Sequence, residues 1–249
     1  LCGLEANKNN YSAAFKNVHA GFVIRKQIND LKAIAQSCYA LGYIYKEQSN
    51  YKEALTYYFQ ALHIAQTIMD KDRMARCYND IGTIYEVQDK YTDALEFLLN
   101  SLKVYEEMGS KANMADSYNN IGLIYKRQNK PEESYKMLLQ ALRLSEEIKD
   151  SKRIGMASVN IGLMYDEQRN YTNAIKFFSK ALDIYEGIQY KKGMAYCYNN
   201  LGNVYFDQKK YSEARDMYLK SLKLKEEIHD KRGVSSSLLN LGRVCSEQK

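Results

Sequence analysis

Residues 118–128 read YNNIGLIYKRQ, and close copies stand at multiples of forty residues: YNDIGTIYEVQ at 78–88 and YNNLGNVYFDQ at 198–208. Outward from these strings the register holds without insertion or deletion. Gly recurs at Gly42, Gly82, Gly122, Gly162, Gly202 and Gly242, and Gln at Gln48, Gln88, Gln128, Gln168, Gln208 and Gln248. Tyr recurs at Tyr45, Tyr85, Tyr125, Tyr165 and Tyr205 until Cys245 breaks the series. A long apolar residue closes each unit, at Ile28, Ile68, Met108, Ile148, Ile188 and Ile228. A fixed period of this size marks a repeat architecture.

Each unit reads as two helices. Over 36–48, Cys38, Leu41, Gly42 and Tyr45 fall on one helical face. Over 51–68, Ala54, Leu55, Tyr58, Ala61, Leu62 and Ala65 do the same. No window alternates with period two long enough to make a strand. Short polar turns such as SNY and DKY separate the two helices. Asp30, Asp70, Asp150 and Asp230 share one register between units, where Asp caps a following helix, and Pro131 suits a helix start. A Gly inside a helix costs about 1 kcal/mol against Ala. Its recurrence therefore predicts close approach of a partner helix, with Gly42 against Ala54 and Ala61. Tyr45 is expected to fill space between units. One helix pair cannot bury these faces alone, so stacked units share a core.

Composition narrows the function. The chain has 249 residues, 45% hydrophobic and 27% charged, with one Pro, no Trp and a formal net charge of +6. No apolar run approaches the roughly 18 residues of a membrane span. His19, His63 and His229 lack metal-ligand partners at the required spacing, and no phosphate loop or nucleophile motif is present. No catalytic residue, metal site or cofactor is expected. The five Cys are odd in number and widely spaced, reading as small packing residues in a reducing, cytoplasmic setting, with a periplasmic one left open. Lys and Arg are scattered among 30 acidic residues, so no basic stripe for nucleic acid is expected.

The pattern Tyr78, Ile81, Gly82, Tyr85, Ala94, Leu98, Ser101, met again by Tyr198, Leu201, Gly202, Tyr205, Ala214, Tyr218 and Ser221, resembles the tetratricopeptide repeat family. The period resembles the 40-residue form found in kinesin light chain, spindle-orientation adaptors and bacterial peptide-sensing regulators, against about 34 in the common form. The second helix is therefore expected to be longer by about a turn and a half. The resemblance implies an all-α fold, a right-handed α-solenoid of stacked antiparallel helix pairs. It would run as a single solenoid through 1–249: a partial repeat 1–34, full repeats 35–74, 75–114, 115–154, 155–194 and 195–234, and a partial repeat 235–249. Leu1 matches Leu41 and Cys2 takes the Gly register, so the phase of both ends predicts a segment of a longer protein.

The face opposite the core of each first helix takes positions equivalent to 36, 39, 40, 43 and 47, which in this family line the inner groove. An Asn ladder runs along it: Asn79, Asn119 and Asn199 in one register, Asn120, Asn160, Asn200 and Asn240 in the next, with Asn203 beside them. Asn is a mediocre helix former, and it offers both donors and an acceptor to an extended peptide backbone. The alternative is that these Asn bridge neighbouring first helices. Arg76, Arg127 and Arg243 are candidates for holding ligand carboxylates. Asp80, Asp116, Asp166 and Asp207 make the groove mixed in charge, and Leu123, Met156, Val159 and Leu163 form an apolar stretch. The expected function is a non-catalytic scaffold that binds an extended peptide or partner helix in this groove. The second reading is a sensory segment of a bacterial signalling protein whose output domain (histidine kinase, cyclase or transcriptional regulator) lies outside it. Uncapped end repeats also predict end-to-end self-association.

Overall fold

The structure is a computed structural model that describes residues 8–248. Among the described residues, twelve helices follow one another and no strand is present: α1 Lys8–Gln27, α2 Leu31–Glu47, α3 Tyr51–Thr67, α4 Lys71–Val87, α5 Tyr91–Glu107, α6 Lys111–Arg127, α7 Pro131–Glu147, α8 Ser151–Glu167, α9 Tyr171–Gly187, α10 Lys191–Asp207, α11 Tyr211–Glu227 and α12 Lys231–Glu247. The chain divides into two compact units, Leu1–Ile124 and Tyr125–Lys249. Within each, consecutive helices pack on one another, the arrangement of an all-α repeat solenoid. The placement of Leu1 and Cys2 inside a first helix falls outside the described residues.

The expected helix lengths need correction. From α2 to α12 every helix has 17 residues, so the longer period is shared equally between the two helices of a pair. The first helix of each pair begins at Leu31 and its equivalents, five residues before position 36. The cap residues explain the earlier start. Asp30, Asp70, Asp150 and Asp230 each accept a hydrogen bond from the backbone N–H three residues on, at 3.0, 3.1, 3.0 and 2.9 Å. That satisfies one of the donors a helix N-terminus leaves open.

The turns share one geometry. The second residue after each helix has positive φ, from Asn29 (55°) through Ser49, Met69, Asp89 and Gly109 to His229 (55°), at 20-residue intervals. In the turn after α3 the Asp70 N–H bonds to the Ala65 carbonyl at 2.9 Å and the Met69 N–H to the Gln66 carbonyl at 3.3 Å. This is the Schellman pattern, which closes the orphaned carbonyls of the last turn. Among these positions in 29–229, Gly109 alone is a glycine, and each of the others carries left-handed backbone strain of about 1–2 kcal/mol.

The core also differs from the expectation. The recurring Gly faces a large side chain of the partner helix: the atoms nearest Gly42 belong to Tyr58 and not to Ala54 or Ala61, while Gly82 also approaches the Ala94 carbonyl at 3.2 Å. A Cβ on Gly42 would stand 2.8 Å from the Tyr58 ring, on Gly82 2.9 Å from Leu98, and on Gly162 2.7 Å from Phe178. Tyr58, Leu98, Leu138, Phe178 and Tyr218 share one register and are all buried. The Gly thus makes a socket for one large side chain per pair, and each such burial contributes roughly 1.5–3 kcal/mol. The recurring Tyr lies as expected between elements. Tyr45 stacks on Tyr57 of its own pair at 5.6 Å and meets Phe15 of α1 edge-on at 5.7 Å. Tyr165 repeats this with Phe177 at 5.8 Å and Tyr135 at 5.9 Å. Cys38, Cys77 and Cys197 are buried and unpaired, in keeping with a packing role.

Candidate ligand-binding clefts

The Asn ladder bonds along the stack. Asn120 Nδ2 donates to Asn79 Oδ1 at 3.0 Å in the first unit, and Asn240 Nδ2 to Asn199 Oδ1 at 3.4 Å in the second. Both bonds join residues 41 apart, so one repeat reaches the first helix of the next. Tyr39 makes the same link, donating at 2.6 Å to Asp80 Oδ2, and Lys46 completes that pair at 2.5 Å from Asp80 Oδ1. Asn200 lacks a counterpart. It is 5% exposed and its Nδ2 has no partner among the described residues, because Val159 stands where Asn79 and Asn199 stand.

The other expected site residues separate into bound and exposed. Asn203 Oδ1 accepts from the Tyr218 hydroxyl at 2.8 Å, and Asn119 is buried. Arg243 lies over the Phe206 ring at 4.6 Å, and Arg127 is exposed. Arg76 pairs with Asp72 at 2.8 Å; burial works against its charge, but the hydrogen bond and the attraction of Asp72 raise its pKa. Asp166 and Asp207 interact: burial first, and then the charges of Asp207 and Glu167, push the Asp166 carboxyl up to about 6.

Two clefts among the described residues, one in each unit, are lined by residues of the ladder. The first has a volume of about 230 Å³ and is lined by Arg76, Asn79, Tyr105, Asn113, Asp116, Ser117 and Asn120. Four of the expected groove residues, Arg76, Asn79, Asp116 and Asn120, therefore meet here. Ser117 is buried, and its Oγ has no partner among the described residues. Burial pushes the Tyr105 hydroxyl up to about 12, with the Asp72 charge adding, so the phenol is neutral. The cleft offers amide, guanidinium, carboxylate and hydroxyl groups together, a set that hydrogen-bonds polar chain atoms.

The second cleft, about 260 Å³, lies among α8, α9, α10 and α11. Met156, Val159, Tyr185, Tyr190, Gly193, Tyr196 and Ile228 give it apolar walls, and Asn160 of the ladder also lines it. Tyr185 meets Tyr190 edge-on at 5.2 Å. The Tyr185 ring fits between Gly155 and Gly193; a Cβ on Gly193 would stand 2.6 Å from both Tyr185 and Tyr190. Lys152, Lys192 and Lys225 also line it. Lys225 is nearly buried, donating to Ser237 Oγ at 2.9 Å and Asn199 Oδ1 at 3.3 Å, and burial lowers its pKa.

Of this lining, sequence reading singled out Met156, Val159 and Asn160 and missed Tyr185, Tyr190, Gly193 and Lys225. The missed signal was a cluster of breaks in the repeat. Tyr190 replaces the capping Asp, Gly193 replaces Arg73 and Asn113, and Lys225 stands where Ala65 and Ser145 do.

The sequence matches the family profile described as Tetratricopeptide repeat over residues 32–107, 113–187 and 193–249. The chain belongs to the tetratricopeptide repeat family. Solved structures share its fold. BtubC (BKLC) from P. vanneervenii is 18% identical, with a TM-score of 0.76, over 88% of this chain and 92% of that one. A Rap protein complexed with Competence and Sporulation Factor is 16% identical, with a TM-score of 0.73, over 98% of this chain and 77% of the other. The Rap conjugation gene regulator of the plasmid pLS20, in complex with the Phr* peptide, is also 16% identical; its TM-score is 0.71, over 85% of this tetratricopeptide chain and 59% of that one. A search of curated protein sequences found no significant relative. No helix among the described residues is long and apolar enough to cross a membrane, and no group of three His, Cys, Asp or Glu could hold a metal ion there.

Proposed function

We propose that this tetratricopeptide array is an interaction module whose first-unit polar cleft holds the main chain of an extended peptide. The observation that carries the reading is the Asn79–Asn120 pair beside Arg76. One N–H of Asn120 and one lone pair of Asn79 are spent on each other. The amide group of Asn79 and the carbonyl oxygen of Asn120 remain, a donor and an acceptor side by side, matching the C=O and N–H of a peptide unit. Arg76 adds a guanidinium at the cleft edge for a ligand carboxylate. The buried Ser117 hydroxyl supplies a further group to be satisfied. The two Rap structures contain, respectively, Competence and Sporulation Factor and the Phr* peptide, which makes a peptide the first ligand class to test.

A screen of random extended peptides against the full chain tests this. Hits should weaken at least tenfold with Arg76→Ala and with Asn79→Ser, while helical content and thermal midpoint hold for the exposed Arg76→Ala. Affinity indifferent to both substitutions overturns the assignment. It would leave the Asn pair as a tie between α4 and α6, the role that the repeat-to-repeat bonds already support.

A further inference from the structure

The two clefts occupy the same position of the repeat, 80 residues apart. Arg76, Asn79, Tyr105, Asn113 and Asp116 of the first correspond to Met156, Val159, Tyr185, Gly193 and Tyr196 of the second. The aromatic ring is retained, and every other one of these polar positions has become apolar or lost its side chain. The fold does not require this. The same helix packing is built in the first unit with polar residues, so helix pairing alone does not select Met156 or Tyr196. Both are exposed, at 38% and 49%, where an apolar side chain gains little for stability.

Charge becomes more positive between the same positions. Asp72 and Ala112 of the first unit become Lys152 and Lys192 of the second. Lys152 sits 5.0 Å over the Tyr190 ring, and Lys192 forms no ion pair among the described residues. The one acidic residue in the lining, Asp230, is engaged as the cap of α12 through the Gly233 N–H, with Lys225 nearby. The second cleft is thus an aromatic-walled hollow with cations at its edge. Its volume, about 260 Å³, is just below the ~300 Å³ at which sites for drug-sized ligands begin. One aromatic or branched-alkyl body fills it.

We infer that this cleft binds a small free organic acid, an arylalkyl or branched-alkyl carboxylate, with the apolar body against Tyr185, Tyr190 and Tyr196 and the carboxylate at Lys152 and Lys192. Stacking and edge contacts with the rings favour an aromatic body. The carboxylate gains a charge-assisted contact. This site is distinct from the polar cleft of the first unit, so either assignment can fail alone.

The chain has no Trp, so indole fluorescence reports on added ligand alone. Titration of N-acetyl-tryptophan with the full chain should show saturable binding, and N-acetyl-tryptophanamide should bind at least tenfold more weakly. Lys192→Gln should bring the acid down towards the amide. The double substitution Met156→Arg with Tyr196→Asp restores the first-unit residues at two exposed positions; it should abolish binding and leave helical content intact. Equal affinity for acid and amide overturns the carboxylate assignment. Binding that survives the double substitution overturns the location. A Trp-containing peptide that binds where the free acid does not would overturn the small-acid occupant and make the cleft a peptide side-chain pocket.

Discussion

The Tyr218 ring lies across Gly202, with its Cε1 only 2.6 Å from the point where a Cβ on Gly202 would stand. The Tyr218 hydroxyl donates to Oδ1 of Asn203, the residue next to Gly202, at 2.8 Å, which ties the ring to α10. Gly202→Ala should therefore destabilise the fold by about 1–3 kcal/mol, the usual cost of overpacking. Chemical denaturation of the full chain measures it. A neutral effect would mean that α10 and α11 can separate without loss.

The turns offer a purely local test. Gly109 has φ 63° with nothing within 4 Å of a would-be Cβ, so Gly109→Ala meets backbone strain and no clash. It should cost about 1 kcal/mol. Met69 occupies the equivalent position with φ 58° and is 78% exposed. Met69→Gly should stabilise by about 0.5 kcal/mol, the relief of strain outweighing the added freedom of the unfolded chain. Opposite shifts in thermal midpoint for the two variants are the expected outcome.

The caps carry a pH signature. The Asp150 carboxyl is held below its ordinary value by hydrogen bonds from the Arg153 backbone N–H and then from its side chain, against an opposing effect of burial. A depressed folded pKa gives stability that is present above the unfolded value, near 3.8, and lost as pH falls through the folded one. Asp150→Ala should cost about 0.5–2 kcal/mol at neutral pH. The difference from the parent chain should shrink under strongly acidic conditions, as read by denaturation at a series of pH values.

Asp166 acts with the opposite sign. Its folded pKa, about 6, is above its ordinary value because of burial and then the neighbouring charges of Asp207 and Glu167. A raised carboxyl pKa favours the fold below the unfolded value, and that contribution is lost as pH rises through about 6. Asp166→Asn should therefore raise the thermal midpoint above about pH 7, with the advantage fading towards pH 4. An advantage of constant size across that range would place the titration elsewhere.

The period, the two helices per unit, the capping Asp and the core face were all legible in the sequence, because each is a local rule repeated at one register. The ladder register was legible for the same reason: spacing put Asn79 and Asn120 opposite the core positions of their helices, and the family resemblance implied that this face lines a groove. Which atoms they bond was not, since the 41-residue link depends on how one first helix lies against the next. The equal helix lengths were also missed, because the pattern of Leu41, Gly42 and Tyr45 marks only the middle of α2 and leaves its first turn unmarked. The partners of Gly42 were read as Ala54 and Ala61 because a one-dimensional pattern names the small residue without saying which partner side chain points at it.

For this protein the sequence by itself determined an all-α repeat of the tetratricopeptide kind, through periodic burial and caps that act within a few residues. Only the tertiary structure decided that Tyr185, Tyr190, Gly193 and Tyr196 gather beside Met156 and Lys152 into one apolar cleft, while the same register near Arg76 stays polar. The reason is physical: a helix's own periodicity fixes which face is buried, but a cleft forms where side chains from separate helices are missing or meet, and that depends on packing across the repeat.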